Sequence, residues 1–198
     1  LRIAIDIDGT LVNTLQEWIN EYNKEYGKFK QYKDTTDYDF PDDKWWKVII
    51  GNAEVHTRSK PFPHSIESIL NLSLAHNMLF ITSCHPKNYV FKMILIEKLF
   101  PNMNSALHFT QEKWFVDWDI LIEDSPHILK QVTNNQNEHD RNKLIILMER
   151  PYNAAYRTKT SVKHFDKNIF YSTAADWRDI LSIIYHFNKS LIIEVRPQ

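Results

Sequence analysis

The chain has 198 residues, 43% apolar and 25% charged, with 24 Lys and Arg against 25 Asp and Glu for a formal net charge of -1. This size and balance predict one domain with a real core and a small insertion, and the lack of a basic excess argues against a polymeric nucleic acid as partner. A single cysteine, Cys84, excludes an internal disulfide and a multi-thiolate zinc site. The three scattered glycines, Gly9, Gly27 and Gly51, exclude a Walker A loop, a dinucleotide-binding turn and a nucleophile elbow.

Taken in chain order, Arg2–Ile7 is a short isoleucine-rich run ending in acids and a glycine, the pattern of a buried parallel strand entering a loop. Leu11–Tyr26 has helical spacing, with Leu15, Trp18, Ile19 and Tyr22 on one stripe. From Gly27 to Lys60 lysines, aspartates and aromatics crowd together around a helical segment, Asp42–Ile50, that carries Trp45 and Trp46. This stretch reads as a cap inserted after the first strand–helix unit. The expected division is therefore a core of residues 1–26 and 61–198 and a helical cap of residues 27–60.

Alternation resumes after Pro61-Phe62-Pro63. The expected elements are a helix over Ser65–His76, a strand over Met78–Thr82, a helix over Asn88–Phe100 and a short strand near Ala106–Phe109. A strand at Ile120–Ile122, a helix from Pro126 to about Val132, a solvated loop over Thr133–Arg141 and a strand at Leu144–Met148 follow. Ala174–Phe187 is the closing helix, and the tail after Asn188 is a strand or a disordered end. The expected fold class is α/β, a Rossmann-like parallel sheet sandwiched by helices. No apolar run is long enough to span a bilayer, and Leu1 leads straight into strand-like sequence; the expectation is no membrane partner, no signal peptide and a reduced, cytoplasmic setting.

The chemistry concentrates in Asp6-Ile7-Asp8-Gly9-Thr10. Two carboxylates two apart on an extended chain point to the same side, at the strand end where open α/β sheets bind ligands. An acid-rich turn is the plain alternative, but acids closing a buried apolar strand carry a desolvation cost unless a cation or donor meets them.

Asp6-Ile7-Asp8-Gly9-Thr10-Leu11 resembles the first motif of the haloacid-dehalogenase-like phosphatases. Thr82 in Phe80-Ile81-Thr82-Ser83, Lys113 in Thr110-Gln111-Glu112-Lys113 and the acidic pair Glu123-Asp124 after Ile120-Leu121-Ile122 resemble the other three, in order. Within that superfamily the chain is similar to the 5'(3')-deoxyribonucleotidases. The likeness lies in the lysine and acidic segments, Glu149-Arg150-Pro151-Tyr152-Asn153 and Ala175-Asp176-Trp177-Arg178-Asp179-Ile180-Leu181.

The resemblance implies a magnesium-dependent phosphomonoester hydrolase acting on (deoxy)nucleoside monophosphates, and it is compatible with a homodimer. It makes Asp6 the nucleophile that forms an aspartyl-phosphate and Asp8 the residue that protonates the leaving oxygen and then activates water. Mg2+ is expected on the Asp6 carboxylate, the Asp8 backbone carbonyl, the Asp124 carboxylate and waters, with Glu123 beside a metal-bound water. Thr82, the Ser83 amide and Lys113 are expected around the phosphoryl group.

Cys84 lacks the following arginine of a thiol phosphatase, so an apolar cysteine is the plainer reading; His139-Asp140 lies in polar, loop-like sequence and reads as surface. Trp45 and Trp46 divide evenly between core and a base-stacking surface, with Phe40 and Phe62 as weaker candidates for the same pocket. Arg150, Tyr152 and Asn153 either brace the fold or rim the site. Two alternatives stay open: a phosphatase of a phosphosugar or other small phosphomonoester, and a catalytically silent nucleotide-binding relative.

Overall fold

A computed structural model of the chain describes residues 1–27, 31–35, 43–103, 106–135, 141–158, 161–166 and 168–194. The side chains at 43, 46, 49, 135 and 189–194 lie outside that description, as do Phe40, His139 and Asp140 altogether.

The first strand, β1 (Arg2–Asp6), is buried from its second residue because Ile3 and Ile5 face one side of the sheet and Ala4 the other. It pairs in parallel with β2 (Asn77–Thr82) on one side and β4 (Ile120–Glu123) on the other. With β3 (Leu107–Phe109), β5 (Lys143–Met148), β6 (Lys163–Asp166) and β7 (Ile169–Ala174) the sheet order is β3-β2-β1-β4-β5-β7-β6. The chain first builds outward from β1 through β2 to β3, then crosses back to β4. The order therefore reverses between β1 and β4, and a crevice opens there at the carboxyl ends of the strands.

Helices cover both faces. On one, α4 (Ser65–Ser73), α5 (Tyr89–Leu99) and α7 (Trp177–Glu194) bury Ile69, Leu72, Leu95, Ile96, Trp177, Ile180 and Ile184 against Ile3, Ile5 and Ile122. On the other, α6 (His127–Asn135) lays Ile128, Leu129 and Val132 over Ala4, Leu121 and Ile145. A separate cluster joins α1 (Thr14–Tyr26) to α2 (Asp43–Gly51) through Leu15, Ile19, Tyr22, Trp45 and Val48. The short α3 (Val55–Arg58) packs against α1 and α5.

Several boundaries differ from the sequence expectation, each for a local reason. The first helix begins at Thr14 rather than Leu11. Leu11 and Val12 belong to a turn in which both amides donate to the Ile7 carbonyl at 3.0 Å, while Val12 bridges Asp8 and Pro61. Asn13 then caps the helix by accepting from the Gln16 amide at 3.2 Å, and Gly27 closes it at φ 61.

The strands β6 and β7 were not expected. β6 is an exposed edge without apolar alternation, and β7 hides Ser172 and Thr173 within a buried run. Thr173 is satisfied there, accepting from the Thr158 amide and donating to Glu149, so its hydroxyl costs the strand little. The edge pair β6–β7 is antiparallel, the one departure from an otherwise parallel sheet among the described strands. The closing helix starts at Trp177, because Ala174 ends β7, and it continues as helix to Glu194 where a strand or a disordered tail was expected. Three residues of the expected 133–141 loop, through Asn135, extend α6.

Candidate active site

The sheet brings Asp6, Glu123 and Asp124 together, since Ile5 is in register with Ile122 and the carboxylates follow directly on each strand. All three are buried, and one carboxylate oxygen from each lies within 4.8 Å of the others. Lys113, in the 3-10 turn Lys113–Phe115, reaches into this group and donates to Asp6 Oδ1 at 2.6 Å and Glu123 Oε2 at 2.5 Å. Its own position is pinned by Trp118, whose indole N–H donates to the Lys113 carbonyl at 2.9 Å.

Glu123 is fully engaged by the protein: its other oxygen accepts from the Asp124 and Ser125 amides at 3.1 and 3.2 Å. Asp124 accepts from Thr10 Oγ1 at 3.3 Å and from the Tyr152 hydroxyl. Gly9, at φ +75, passes so close that a Cβ there would collide with the Asp124 carboxylate and stand 2.8 Å from the Tyr152 hydroxyl.

Three carboxylates against one contacting ammonium leave negative charge uncompensated in a buried place. Burial and the neighbouring Glu123 raise the Asp6 carboxyl to about 7, against the opposing pull of Lys113. Burial, Glu123 and Asp6 likewise hold Asp124 well above the ordinary carboxylate range. Burial would lower the Lys113 ammonium, but Asp6 and Glu123 outweigh it and raise the group. A set of hard oxygen donors with surplus negative charge and a glycine cradle fits a divalent cation such as Mg2+.

Asp8 meets the opposite surroundings. Its Oδ1 accepts from Thr14 Oγ1 at 2.6 Å and its Oδ2 is paired with the Lys92 ammonium, while His56 Nδ1 lies 3.6 Å from Oδ1. Burial would raise the Asp8 carboxyl, but Lys92 and His56 outweigh it and hold the group well below the usual range.

These acids open on a cavity of about 620 Å³. Asp6, Asp8, Ser83, Lys113, Glu123 and Asp124 line it, and Leu15, Trp18 and Ile50 supply apolar surface. Thr82 ends β2 beside this place; it is fully buried, and its hydroxyl has no hydrogen-bond partner among the described residues.

Trp45 does not reach the cavity. It is 2% exposed and stacks on Tyr22 with ring centroids 4.8 Å apart, so its role as a base platform gives way to packing between α1 and α2. The side chain of Trp46 lies outside the described residues. Phe62 packs on the core beneath the Arg150 guanidinium, 3.8 Å from its ring centroid. Arg150 braces the first loop by donating Nε–H to the Gly9 carbonyl at 2.6 Å, and Asn153 ties the Asp124 and Met148 carbonyls at 2.8 Å each. Of that trio Tyr152 alone lines the cavity. Cys84 also lines it, but burial pushes its thiol up to about 11, so it is no thiolate nucleophile.

Sequence reasoning missed Lys92, His56 and Thr14. No spacing announces them, because each reaches Asp8 from a different element. Trp18, on the helical stripe of α1, is half-buried against the Leu15, Ile19 and Tyr22 cluster and also lines the cavity.

The family described as "5' nucleotidase, deoxy (Pyrimidine), cytosolic type C protein" matches residues 1–185. No curated protein sequence matches the chain. Among solved structures, a haloacid dehalogenase-like protein from Agrobacterium tumefaciens is similar at TM-score 0.59 and 12% identity, covering 94% of this chain and 98% of that one. A haloacid dehalogenase-like family hydrolase from Streptococcus pneumoniae is similar at TM-score 0.56 and 12% identity, covering 92% and 97%. A hydrolase from Pseudomonas syringae is similar at 0.54 and 10%, covering 93% and 98%. These likenesses concern the fold alone. By its family match over nearly its whole length, the chain belongs to the 5' nucleotidase, deoxy (pyrimidine), cytosolic type C family, a phosphatase-type hydrolase on the haloacid dehalogenase-like fold.

Proposed function

We propose that the protein is a magnesium-dependent phosphomonoesterase of (deoxy)nucleoside monophosphates that works through an aspartyl-phosphate on Asp6. The observation that carries this reading is the buried Asp6–Glu123–Asp124 group with Lys113 inserted into it, lining a cavity to which Leu15, Trp18 and Ile50 add apolar surface.

A carboxylate attacking a phosphate dianion faces repulsion, and at this site the repulsion is aggravated by two further acids. Mg2+ held by the Asp6 and Asp124 carboxylates and the Asp8 carbonyl would supply the missing positive charge at the phosphoryl oxygens. Glu123, with both oxygens engaged by protein donors, orients Lys113 and the backbone after β4. Lys113 brings a fixed cation to the transferring group, and the Thr82 hydroxyl, without a partner among the described residues, and the Ser83 amide are suited to its remaining oxygens.

In the first step an Asp6 oxygen bonds to phosphorus as the ester oxygen departs with a proton from Asp8. Asp8 takes up that proton from solvent when the phosphate dianion enters and offsets the pull of Lys92 and His56. In the second, water attacks phosphorus, gives its proton to Asp8 and frees Asp6 as phosphate leaves. Leu15, Trp18 and Ile50 offer the flat apolar surface that a nucleobase can cover, which favours a nucleoside over a bare sugar as the esterified alcohol. Residues 27–60, which contribute Ile50 and His56 to the cavity, act as the cap that selects this alcohol. A reduced, cytoplasmic setting accords with the unpaired Cys84; among the described residues no helix is long and apolar enough to cross a membrane.

Phosphate release measured across nucleoside monophosphates and sugar phosphates, with Mg2+ and with chelator, tests the proposal. It expects magnesium-dependent turnover that is fastest on nucleotides. Sugar phosphates turned over faster would move the substrate to the phosphosugar class, and no turnover of any monoester would leave a nucleotide-binding relative.

A further inference from the structure

Two buried polar side chains, one from the cap segment and one from α5, converge on Asp8 and have no part in the acid cluster around Asp6. Lys92, from α5, is 0% exposed, and its ammonium is paired with Asp8 Oδ2 across 84 residues of sequence. His56, from α3, is 1% exposed; Nδ1 lies 3.6 Å from Asp8 Oδ1, and neither ring nitrogen has a closer hydrogen-bond partner among the described residues. Its ring stands edge-on to Trp18 with centroids 6.0 Å apart, which fixes the plane in which Nδ1 faces the carboxylate. Thr14 closes the third side at 2.6 Å. Asp8 is thus addressed by α1, α3 and α5 at once.

A purely structural account of these residues is weak. A buried ion pair contributes little to stability compared with apolar side chains of similar volume, and an imidazole enclosed with both nitrogens unsatisfied costs stability. Either position could hold a leucine or methionine if filling space were all that was needed. What the arrangement does supply is direction. Each oxygen of a carboxylate that would otherwise turn freely about χ2 is assigned to a named donor.

We propose that Lys92 and His56 are positioning residues for Asp8, aiming its carboxylate at the ester oxygen that must be protonated. The inference rests on the reading of Asp8 as the proton-transfer residue. Lys92 fixes the side chain from behind through Oδ2, and His56 limits its swing through Oδ1. Because His56 is carried by the cap segment, the part of the chain that selects the alcohol also sets the aim of the acid that releases it. Misplacing a reacting group by about 1 Å costs on the order of 10²-fold in rate, so loss of either residue should be visible in the chemical step.

The test follows release of the alcohol in the first turnover, where the later hydrolysis of the phospho-enzyme does not enter. Two esters are compared: a deoxynucleoside 5'-monophosphate, whose alcohol needs a proton to leave, and dinitrophenyl phosphate, whose phenolate leaves unaided. Lys92→Met and His56→Leu should slow release from the nucleotide by roughly 10–100-fold, with about twofold or less effect on dinitrophenyl phosphate and on KM. His56→Asn, which keeps a donor near the Nδ1 position, should recover most of the lost rate. Equal losses on both esters, a loss confined to KM, or no loss would overturn the proposal. If Lys92→Met fails to fold, the His56 pair carries the decision. Wild-type protein that releases neither alcohol would instead overturn the functional reading, and this proposal with it.

Discussion

Two sides of one cleft differ in a way that the short spacing of their two acids does not foretell. Asp6 and Asp8 are separated by a single residue, yet Asp6 faces Glu123 and Asp124 with one lysine among them, while Asp8 is met by Lys92, His56 and Thr14. On the acid-rich side negative charge accumulates and the Asp6 carboxyl rises to about 7; on the cation-rich side the Asp8 carboxyl falls well below its ordinary range. Chemically equivalent side chains are thereby assigned to different tasks by what packs against them. The acid-rich side is built to gain a cation, and the cation-rich side is built to hold one carboxylate in one place.

The sharpest way to break this comparison is to exchange charge for shape at each acid. Asp6→Asn should reduce turnover to background with the fold intact by circular dichroism, since an amide is no nucleophile toward phosphorus. Asp8→Asn removes proton transfer alone and should cost about 10²–10⁴-fold, leaving measurable activity. Similar residual rates in the two variants would mean that the acids share one role.

The acid-rich side also makes a prediction about stability. The Asp6 carboxyl is raised in the folded protein from 3.8 to about 7, so the metal-free fold holds this proton more tightly than the unfolded chain does. The stabilisation from that proton is complete below the unfolded value and is lost as pH rises through about 7. Mg2+ competes for the same oxygen. The gain in Tm on adding Mg2+ should therefore be larger near pH 8 than near pH 5, and it should shrink in Asp124→Ala more than in Glu123→Ala. A metal-induced gain independent of pH, or a larger loss in Glu123→Ala, would contradict the assignment of the acidic pair.

What could be read in the sequence follows the range of the interactions. The Asp6-Ile7-Asp8 pair is visible because it closes an apolar run, Asp6 as the last residue of β1 and Asp8 in the turn that follows, and Glu123-Asp124 is visible because it ends an apolar run in the same manner. Lys92 is not, because it sits in Tyr89–Leu99, a helix apolar on most of its surface, where a lysine reads as solvated; only the tertiary fold turns it inward to Asp8. The adjacent tryptophans announced an aromatic surface but not which residue would supply it. Packing of α2 on Tyr22 consumes Trp45, and Trp18, one turn earlier on α1, lines the cavity instead. β7 escaped notice because its buried hydroxyls interrupt the apolar pattern, and the partners of Thr173 come from Thr158 and Glu149, outside the strand.

That exchange of tryptophans sets a smaller and opposite pair of outcomes. Trp18→Ala should lower kcat/KM for a nucleotide by roughly 10–100-fold relative to a small aryl phosphate, the magnitude of one stacking contact. Trp45→Ala should instead destabilise the fold by about 3–5 kcal/mol in denaturant unfolding, without changing that ratio. The reverse pattern would place the base on the other ring. The smallest effect concerns Cys84: with its thiol raised to about 11, it should react with iodoacetamide at neutral pH more slowly than a free cysteine, although it lines the cavity.

The division of labour between Asp6 and Asp8 is tested most directly by trapping the phospho-enzyme. Protein mixed with Mg2+ and a nucleoside monophosphate carrying radioactive phosphate is quenched in acid within the first turnover, reduced with borohydride and mapped by mass spectrometry. The account predicts an acid-stable phosphate label on the protein before reduction and, once reduction has displaced that phosphate, homoserine in place of Asp6 with Asp8 left as aspartate. Label on Asp8 or on any other side chain, or turnover with no label trapped at any time, would contradict it.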